Sequence, residues 1–112
     1  MTGSPRRILI LLPLVLVAAA PPPDGKRIAE QGNGRGAAAC SSCHGPTYQG
    51  NSGLKAPPIA GLSAGYIETR LKHYASPAGH NALMRQVATS LSPAEAQAVA
   101  IFLAKQPKGS RP

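Results

Sequence analysis

The sequence is poor in aromatic and in acidic side chains. Its 112 residues contain no Trp, one Phe and three Tyr, and only four acidic residues against twelve Lys and Arg. A small domain with so little large apolar volume usually needs a disulfide, a metal or a cofactor to complete its core. The sequence also lacks an alternating strand pattern and an internal repeat. We therefore expect one small all-α domain.

No apolar run reaches the roughly 20 residues that span a bilayer as a helix. Arg6 and Arg7 precede an uncharged run of 13 residues that ends at Ala20, and three prolines follow. This pattern predicts a cleaved secretory signal peptide at residues 1–19 and a periplasmic protein, with an uncleaved membrane anchor as the lesser alternative. Cleavage removes 19 of the 112 residues and leaves 93. It also removes two of the twelve basic residues, so ten face four acidic ones and the formal charge is +6.

Composition divides the remaining chain into a proline-rich segment at 20–23, one domain at 24–106 and a flexible tail at 107–112. Inside the domain, residues 46–61 are rich in Gly, Pro, Asn and Ser, which predicts a long irregular loop. Such a loop in a small domain usually has a function or wraps around a bound group.

Helix starts are marked by capping residues. Asp24, Ser63 and Ser92 each precede a stretch with helical spacing of apolar residues. The third is the clearest, because Glu95 follows Ser92 by three residues and completes a capping box. We expect three or four short helices, joined by long loops, around one bound group.

The haem is predicted from the position of the two cysteines. Cys40, Cys43 and His44 form the motif Cys-Ser-Ser-Cys-His, and C-x-x-C-H is the attachment signature of c-type haem. Two thiols at this spacing can reach both vinyl groups on one porphyrin edge, and the adjacent imidazole becomes the proximal iron ligand. The covalently bound macrocycle also supplies the apolar volume that the sequence lacks.

Other uses of the cysteines fit less well. A disulfide across so short a loop removes little entropy from the unfolded chain. A thioredoxin-type redox pair belongs in a βαβ context that is absent here. A structural zinc site needs four ligands, and His73 and His80 lie at unsuitable spacing.

The second axial ligand of the iron separates electron transfer from ligand activation. Met84 is the only methionine after residue 19, and it lies just before the last predicted helix. From there its thioether can reach the open face of the haem. His80 is the alternative, and would give a bis-histidine site of lower potential.

Several further segments match one family pattern. They are Gly25-Lys26-Arg27-Ile28, the haem motif with Gly45, Gln49-Gly50-Asn51, Pro58-Ile59-Ala60-Gly61, Tyr66-Ile67 with Leu71, Met84 with Val87-Ala88, and Leu91-Ser92 leading to Ala100-Ile101-Phe102-Leu103. With these segments, roughly residues 24–105 resemble the class I c-type cytochromes, particularly the small bacterial monohaem kind.

The resemblance implies a cytochrome c-like fold with Met84 as the distal ligand. It also implies that the backbone carbonyl of Pro58 accepts a hydrogen bond from His44, which fixes the imidazole tautomer and raises its basicity. Family members usually carry an aromatic residue where the first helix crosses the last. This chain does not, so we expect Gly25 to pack against Phe102 there.

The expected function is single-electron transfer in the periplasm, without enzymatic catalysis. One alternative is a cytochrome subunit fixed in a periplasmic or membrane dehydrogenase or oxidase. Another is a haem enzyme or sensor with an open distal site, although no acid–base pair is visibly placed for catalysis. The positive charge predicts redox partners with an acidic docking face rather than nucleic acid. The candidates for contact with the haem propionates are Tyr66, Arg70, Lys72 and Tyr74.

Overall fold

The computed structural model describes residues 3–14 and 21–109. Within these residues the chain forms helices and one isolated bridge, but no strand. The helices are α1 (Gly25–Gln31), α2 (Cys40–His44), α3 (Ala64–Ala75), α4 (Ala82–Thr89) and α5 (Pro93–Ala104), with a short 3-10 turn at Ser52–Leu54. The all-α prediction is confirmed. The predicted cleavage site after Ala19 lies outside the described residues.

The three predicted helix caps are all confirmed. The side chain of Asp24 accepts a hydrogen bond from the Arg27 N–H at 3.2 Å, and Ser63 caps α3 in the same way. At α5, the Ser92 hydroxyl accepts from the Glu95 N–H at 3.1 Å, and the Glu95 carboxylate accepts from the Ser92 N–H at 3.0 Å. These bonds satisfy N–H groups that the first turn of each helix leaves unpaired.

The predicted number of helices, three or four, is too low. The sequence reading missed α2 and α4, which have five and eight residues. Helix α2 begins after Ala39 with no side-chain cap, so the sequence carries no start signal there. Helix α4 does have a cap, because the Asn81 side chain accepts from the Met84 N–H at 3.0 Å.

Helix α1 crosses α5 in direct backbone contact. A Cβ atom at Gly25 would overlap the carbonyl oxygen of Ala98, so only glycine permits this approach. The backbone at Ala98, rather than the expected Phe102, is therefore the nearest part of α5 to Gly25. Phe102 packs instead against Tyr48, with ring centroids 5.8 Å apart and planes at 86°. Small side chains thus replace the missing aromatic residue at the crossing.

Two further features frame the domain. Among the described residues, no single helix is long and apolar enough to cross a membrane, and α4 and α5 satisfy those criteria only together, across a bend of 114°. Beyond α5, Gln49 donates to the Pro107 carbonyl at 3.0 Å and accepts from the Gly109 N–H at 2.8 Å. The described part of the C-terminal segment is therefore bonded to the domain.

Candidate functional site

A mainly apolar cavity of about 300 Å³ opens beside α2. Its walls come from α2, the end of the long loop, α3, α4 and α5. Cys40, Cys43, His44 and Met84 all line it. The structure thus brings together the four side chains that the sequence predicted as haem ligands and attachment points.

Cys40 and Cys43 are not bonded to each other, and both lie on the cavity wall. The three-residue spacing places them on one face of α2, as expected for helical neighbours. Burial raises the pKa of the Cys40 thiol to about 11, although a hydrogen bond to the backbone acts in the opposite direction. A redox-active dithiol needs a lowered thiol pKa instead. This environment therefore argues against the thioredoxin-type alternative.

His44 is buried, and its Nδ1–H donates to the carbonyl oxygen of Pro57 at 2.7 Å. A carbonyl can only accept, so the proton lies on Nδ1 and the Nε2 lone pair is left for a metal. The prediction that Pro58 supplies this carbonyl is wrong by one position. Pro57 precedes a proline and is restricted to extended backbone, where successive carbonyls point in different directions.

Met84 is half-buried in the first turn of α4, where the Asn81 cap fixes the start of the helix. The Arg85 guanidinium donates to the Ser76 carbonyl at 3.0 Å and ties α4 to the end of α3. His80, the rival ligand, is exposed and does not line the cavity. This placement favours Met84 as the distal ligand.

The four candidates for propionate contact divide into two groups. Tyr66, Arg70 and Tyr74 line the cavity, whereas Lys72 is exposed and does not. The Arg70 guanidinium donates to the Tyr74 hydroxyl at 3.2 Å and lies 5.0 Å from the centre of that ring. Arg70 is therefore held at the cavity by its own helix neighbour.

The mouth of the cavity contains residues that the sequence reading did not single out. Leu54 and Lys55, at the 3-10 turn, and Leu83, on α4, line the cavity and are exposed. No sequence signal pointed to Leu54 and Lys55, because a glycine-rich loop has no periodicity that separates inward from outward side chains. Leu83 lies on α4, a helix that the sequence reading missed. No Asp or Glu among the described residues lines the cavity.

The residues present fit a c-type haem. The cavity is apolar, both thiols reach it, and the hydrogen bond from Nδ1 presents the other imidazole nitrogen as a ligand. A thioether is available on the same cavity. Elsewhere in the described part of the chain, no group of three or more His, Cys, Asp or Glu could hold a metal ion.

Comparison with known proteins agrees with this fit. The family model for cytochrome c matches residues 24–107. A thiosulfate dehydrogenase electron acceptor from Stutzerimonas stutzeri (strain A1501) is 38% identical over 95 residues, which are 84% of this chain and 44% of that protein.

Two solved structures resemble the fold. Cytochrome c4 from Acidithiobacillus ferrooxidans matches with a TM-score of 0.66 and 34% identity, over 71% of this chain and 46% of that chain. A thiosulfate dehydrogenase from Marichromatium purpuratum matches with a TM-score of 0.73 and 30% identity, over 77% of this chain and 19% of that chain. The chain spans less than half the length of each of these three relatives.

Proposed function

Because the chain belongs to the cytochrome c family and carries covalently bound haem c, we propose that it is a periplasmic single-electron carrier that accepts electrons from a dehydrogenase. In this proposal Cys40 and Cys43 form the thioether links, and His44 and Met84 are the axial ligands. Haem c supplies an iron that alternates between the ferrous and ferric states.

One observation supports this function above the others: His44 and Met84 line the same cavity as the two cysteines. When the chain fills both axial positions, no substrate has to bind and little has to rearrange as the electron moves. The apolar wall and the thioether favour the ferrous state and raise the reduction potential. The carbonyl of Pro57 holds the imidazole in one tautomer.

Replacing Met84 tests the axial assignment. In the ferric holoprotein, Met84→Ala should abolish the sulfur-to-iron charge-transfer band near the red edge of the spectrum and let exogenous ligands bind. His80→Ala should leave both properties unchanged, because His80 is exposed and away from the cavity. The reverse pattern establishes bis-histidine ligation, and ligand binding to the unaltered protein establishes an open distal site of the enzyme or sensor type.

A dehydrogenase is proposed as the partner because a relative with 38% identity is named an electron acceptor of thiosulfate dehydrogenase. The docking surface we propose is the cavity mouth, where Leu54, Tyr66 and Leu83 are exposed. Lys55 is exposed and supplies positive charge there, and no described carboxylate lines the cavity. An acidic face on the dehydrogenase complements this mouth.

The salt dependence of the reaction tests this docking surface. Charge attraction is screened over about 8 Å at physiological ionic strength, so the bimolecular rate with a thiosulfate dehydrogenase should fall as salt rises. Lys55→Gln should flatten that dependence. Lys26 is an exposed residue of α1 that does not line the cavity, so Lys26→Gln removes the same charge elsewhere and should have little effect. Equal effects of both variants contradict a docking surface at the mouth.

The same preparation distinguishes a free carrier from a fixed subunit. A subunit co-purifies with its dehydrogenase through gel filtration, whereas a carrier separates from it.

Periplasmic location predicts haem-stained protein in the periplasmic fraction. Cleavage after Ala19 predicts a mature polypeptide of 93 residues by mass spectrometry, the 112 of the sequence less 19. Haem protein retained in the cytoplasm contradicts export.

A further inference from the structure

The carbonyl that orients His44 belongs to a segment with no hydrogen-bond donor at its centre. Pro57 and Pro58 have no N–H, so the Pro57 carbonyl must be held from the flanking residues. On the N-terminal flank, Ala56 and Asn51 exchange two backbone hydrogen bonds of 2.8 and 3.0 Å. These bonds fix one end of the proline pair.

Tyr48 fixes the other end. Its carbonyl oxygen accepts from the Ile59 N–H at 2.9 Å and from the Ala60 N–H at 3.0 Å. Tyr48 has a φ of 60°, in the left-handed region that bulky residues seldom adopt. Its ring is only 3% exposed and packs edge-on against Phe102. Burial of the ring therefore holds the residue in an otherwise unfavourable backbone conformation.

We propose that Tyr48 is a positioning residue for His44, acting through Pro57. The buried ring keeps the backbone left-handed, and this backbone directs the Tyr48 carbonyl to the end of the proline pair. The pair in turn holds its carbonyl on the Nδ1–H of His44. The inference rests on the proposed axial role of His44. Since that hydrogen bond raises the basicity of the imidazole, the backbone at Tyr48 helps to set the reduction potential.

The phenol hydroxyl has no part in this role. It is buried and finds no hydrogen-bond partner among the described residues. Three substitutions at this one position therefore separate the functions of the residue. Tyr48→Phe keeps the ring, Tyr48→Gly permits a positive φ without a ring, and Tyr48→Val is apolar but resists a positive φ because it is β-branched.

Two properties of the holoprotein depend on the hydrogen bond between the Pro57 carbonyl and His44. The first is the reduction potential, and the second is solvent exchange of the His44 Nδ1–H in the ferrous protein, followed by NMR. Tyr48→Phe should match the unaltered protein in both. Tyr48→Val should raise the potential and speed the exchange about tenfold, roughly the effect of losing one hydrogen bond. Tyr48→Gly should lie between them.

A stability control excludes a general effect of weakening the core. Ile28 is buried in α1 and does not line the cavity, so Ile28→Ala should destabilise the protein without changing the potential. The positioning role is overturned if Ile28→Ala shifts the potential as Tyr48→Val does, or if Tyr48→Phe already produces the full effect. If Tyr48→Val yields no holoprotein, the comparison of Tyr48→Phe with Tyr48→Gly tests the role. Equal reduction potentials in these two variants overturn it.

The ferric spectrum of the unaltered holoprotein distinguishes a failure of this inference from a failure of the proposed function. A ferric spectrum without methionine and histidine ligation contradicts the proposed function. A spectrum with that ligation, together with equal potentials in all three Tyr48 variants, contradicts the positioning role alone.

Discussion

The crossing of α1 with α5 and the cavity beside α2 differ in what completes them. At the crossing the polypeptide is sufficient, because Gly25 contacts the Ala98 backbone and Ala100 is fully buried. At the cavity, short helices and a long loop surround a space that the chain itself does not fill. The first region is therefore determined by residue packing, whereas the second requires the covalent haem.

The two regions also differ in charge. Three of the four acidic residues, Asp24, Glu30 and Glu95, lie at α1 or at the start of α5. Lys55 and Arg70 line the cavity, and no described carboxylate does. The protein groups on the haem side are therefore positive before the two haem propionates are counted, and this is the side proposed for docking.

Removing the haem should have the largest effect on this comparison. Without the haem, the apolar side chains around about 300 Å³ of space lose their packing partner and meet water. A small domain is only marginally stable, so the loss of this contact should remove most of its stability. Cys40→Ala combined with Cys43→Ala should therefore abolish cooperative thermal unfolding, measured by circular dichroism. Haem should also be lost from the denatured polypeptide.

Hydrogen exchange adds spatial detail to that experiment. Any protection left in the cysteine-free variant should be found in α1 and α5, while α2 and the loop after it exchange freely. Protection that is lost uniformly, or retained best around α2, contradicts the division into two regions. Haem that stays with the denatured variant contradicts the thioether assignment of Cys40 and Cys43.

Breaking the crossing should have an intermediate effect. Gly25→Ala places a methyl group against the Ala98 carbonyl, and overpacking of this kind costs about 1–3 kcal/mol. The free energy of unfolding, measured in urea on the holoprotein, should fall by that amount. The haem spectrum should not change, because the contact is outside the cavity.

Gly65→Ala provides a matched control. Gly65 also lies in the first turn of a helix, and a Cβ there would meet nothing within 4 Å. This substitution should be neutral or slightly stabilising, since alanine favours helix more than glycine does. If Gly25→Ala and Gly65→Ala lower the free energy of unfolding equally, the close contact between Gly25 and α5 contributes nothing specific to stability.

The comparison also explains how much the sequence could predict. Caps are local, so Asp24, Ser63 and Ser92 were assigned correctly from neighbouring residues. The haem motif is local as well, and its residues meet on one cavity wall. These features need no knowledge of how the chain folds back on itself.

The predictions that failed depend on tertiary geometry. Which residue faces Gly25 depends on the angle at which α1 crosses α5, and a sequence does not state that angle. Likewise, both Pro57 and Pro58 offer a carbonyl, and only the path of the loop decides which one reaches His44. Helix α2 was missed for a local reason instead, because it has only five residues and no side chain caps it.

The smallest predicted effect concerns the ion pair beside the crossing. The Arg35 guanidinium lies 2.5 Å from the Glu95 carboxylate, which also accepts from the Ser92 N–H. The pKa of Glu95 lies below its usual value. The largest cause is the hydrogen bond from the Ser92 backbone, to which hydrogen bonding and the charge of Arg35 add, while burial acts in the opposite direction. A lowered carboxyl pKa stabilises the fold above the pKa of the unfolded state, about 4.3, and the stabilisation is lost as pH falls through the folded value.

Two variants separate the hydrogen bond from the ion pair. Glu95→Gln removes the titrating carboxylate, so the unaltered protein should be more stable than this variant at pH 7, and the difference should shrink as pH falls below about 5. Arg35→Gln should cost less than about 1 kcal/mol, because Arg35 is 66% exposed and its pair is screened by water. Most of the acid sensitivity should therefore survive in Arg35→Gln, measured by urea unfolding from pH 7 to pH 3. If Arg35→Gln removes as much acid sensitivity as Glu95→Gln, the ion pair rather than the Ser92 hydrogen bond lowers the pKa of Glu95, and the crossing depends on surface charge as well as on packing.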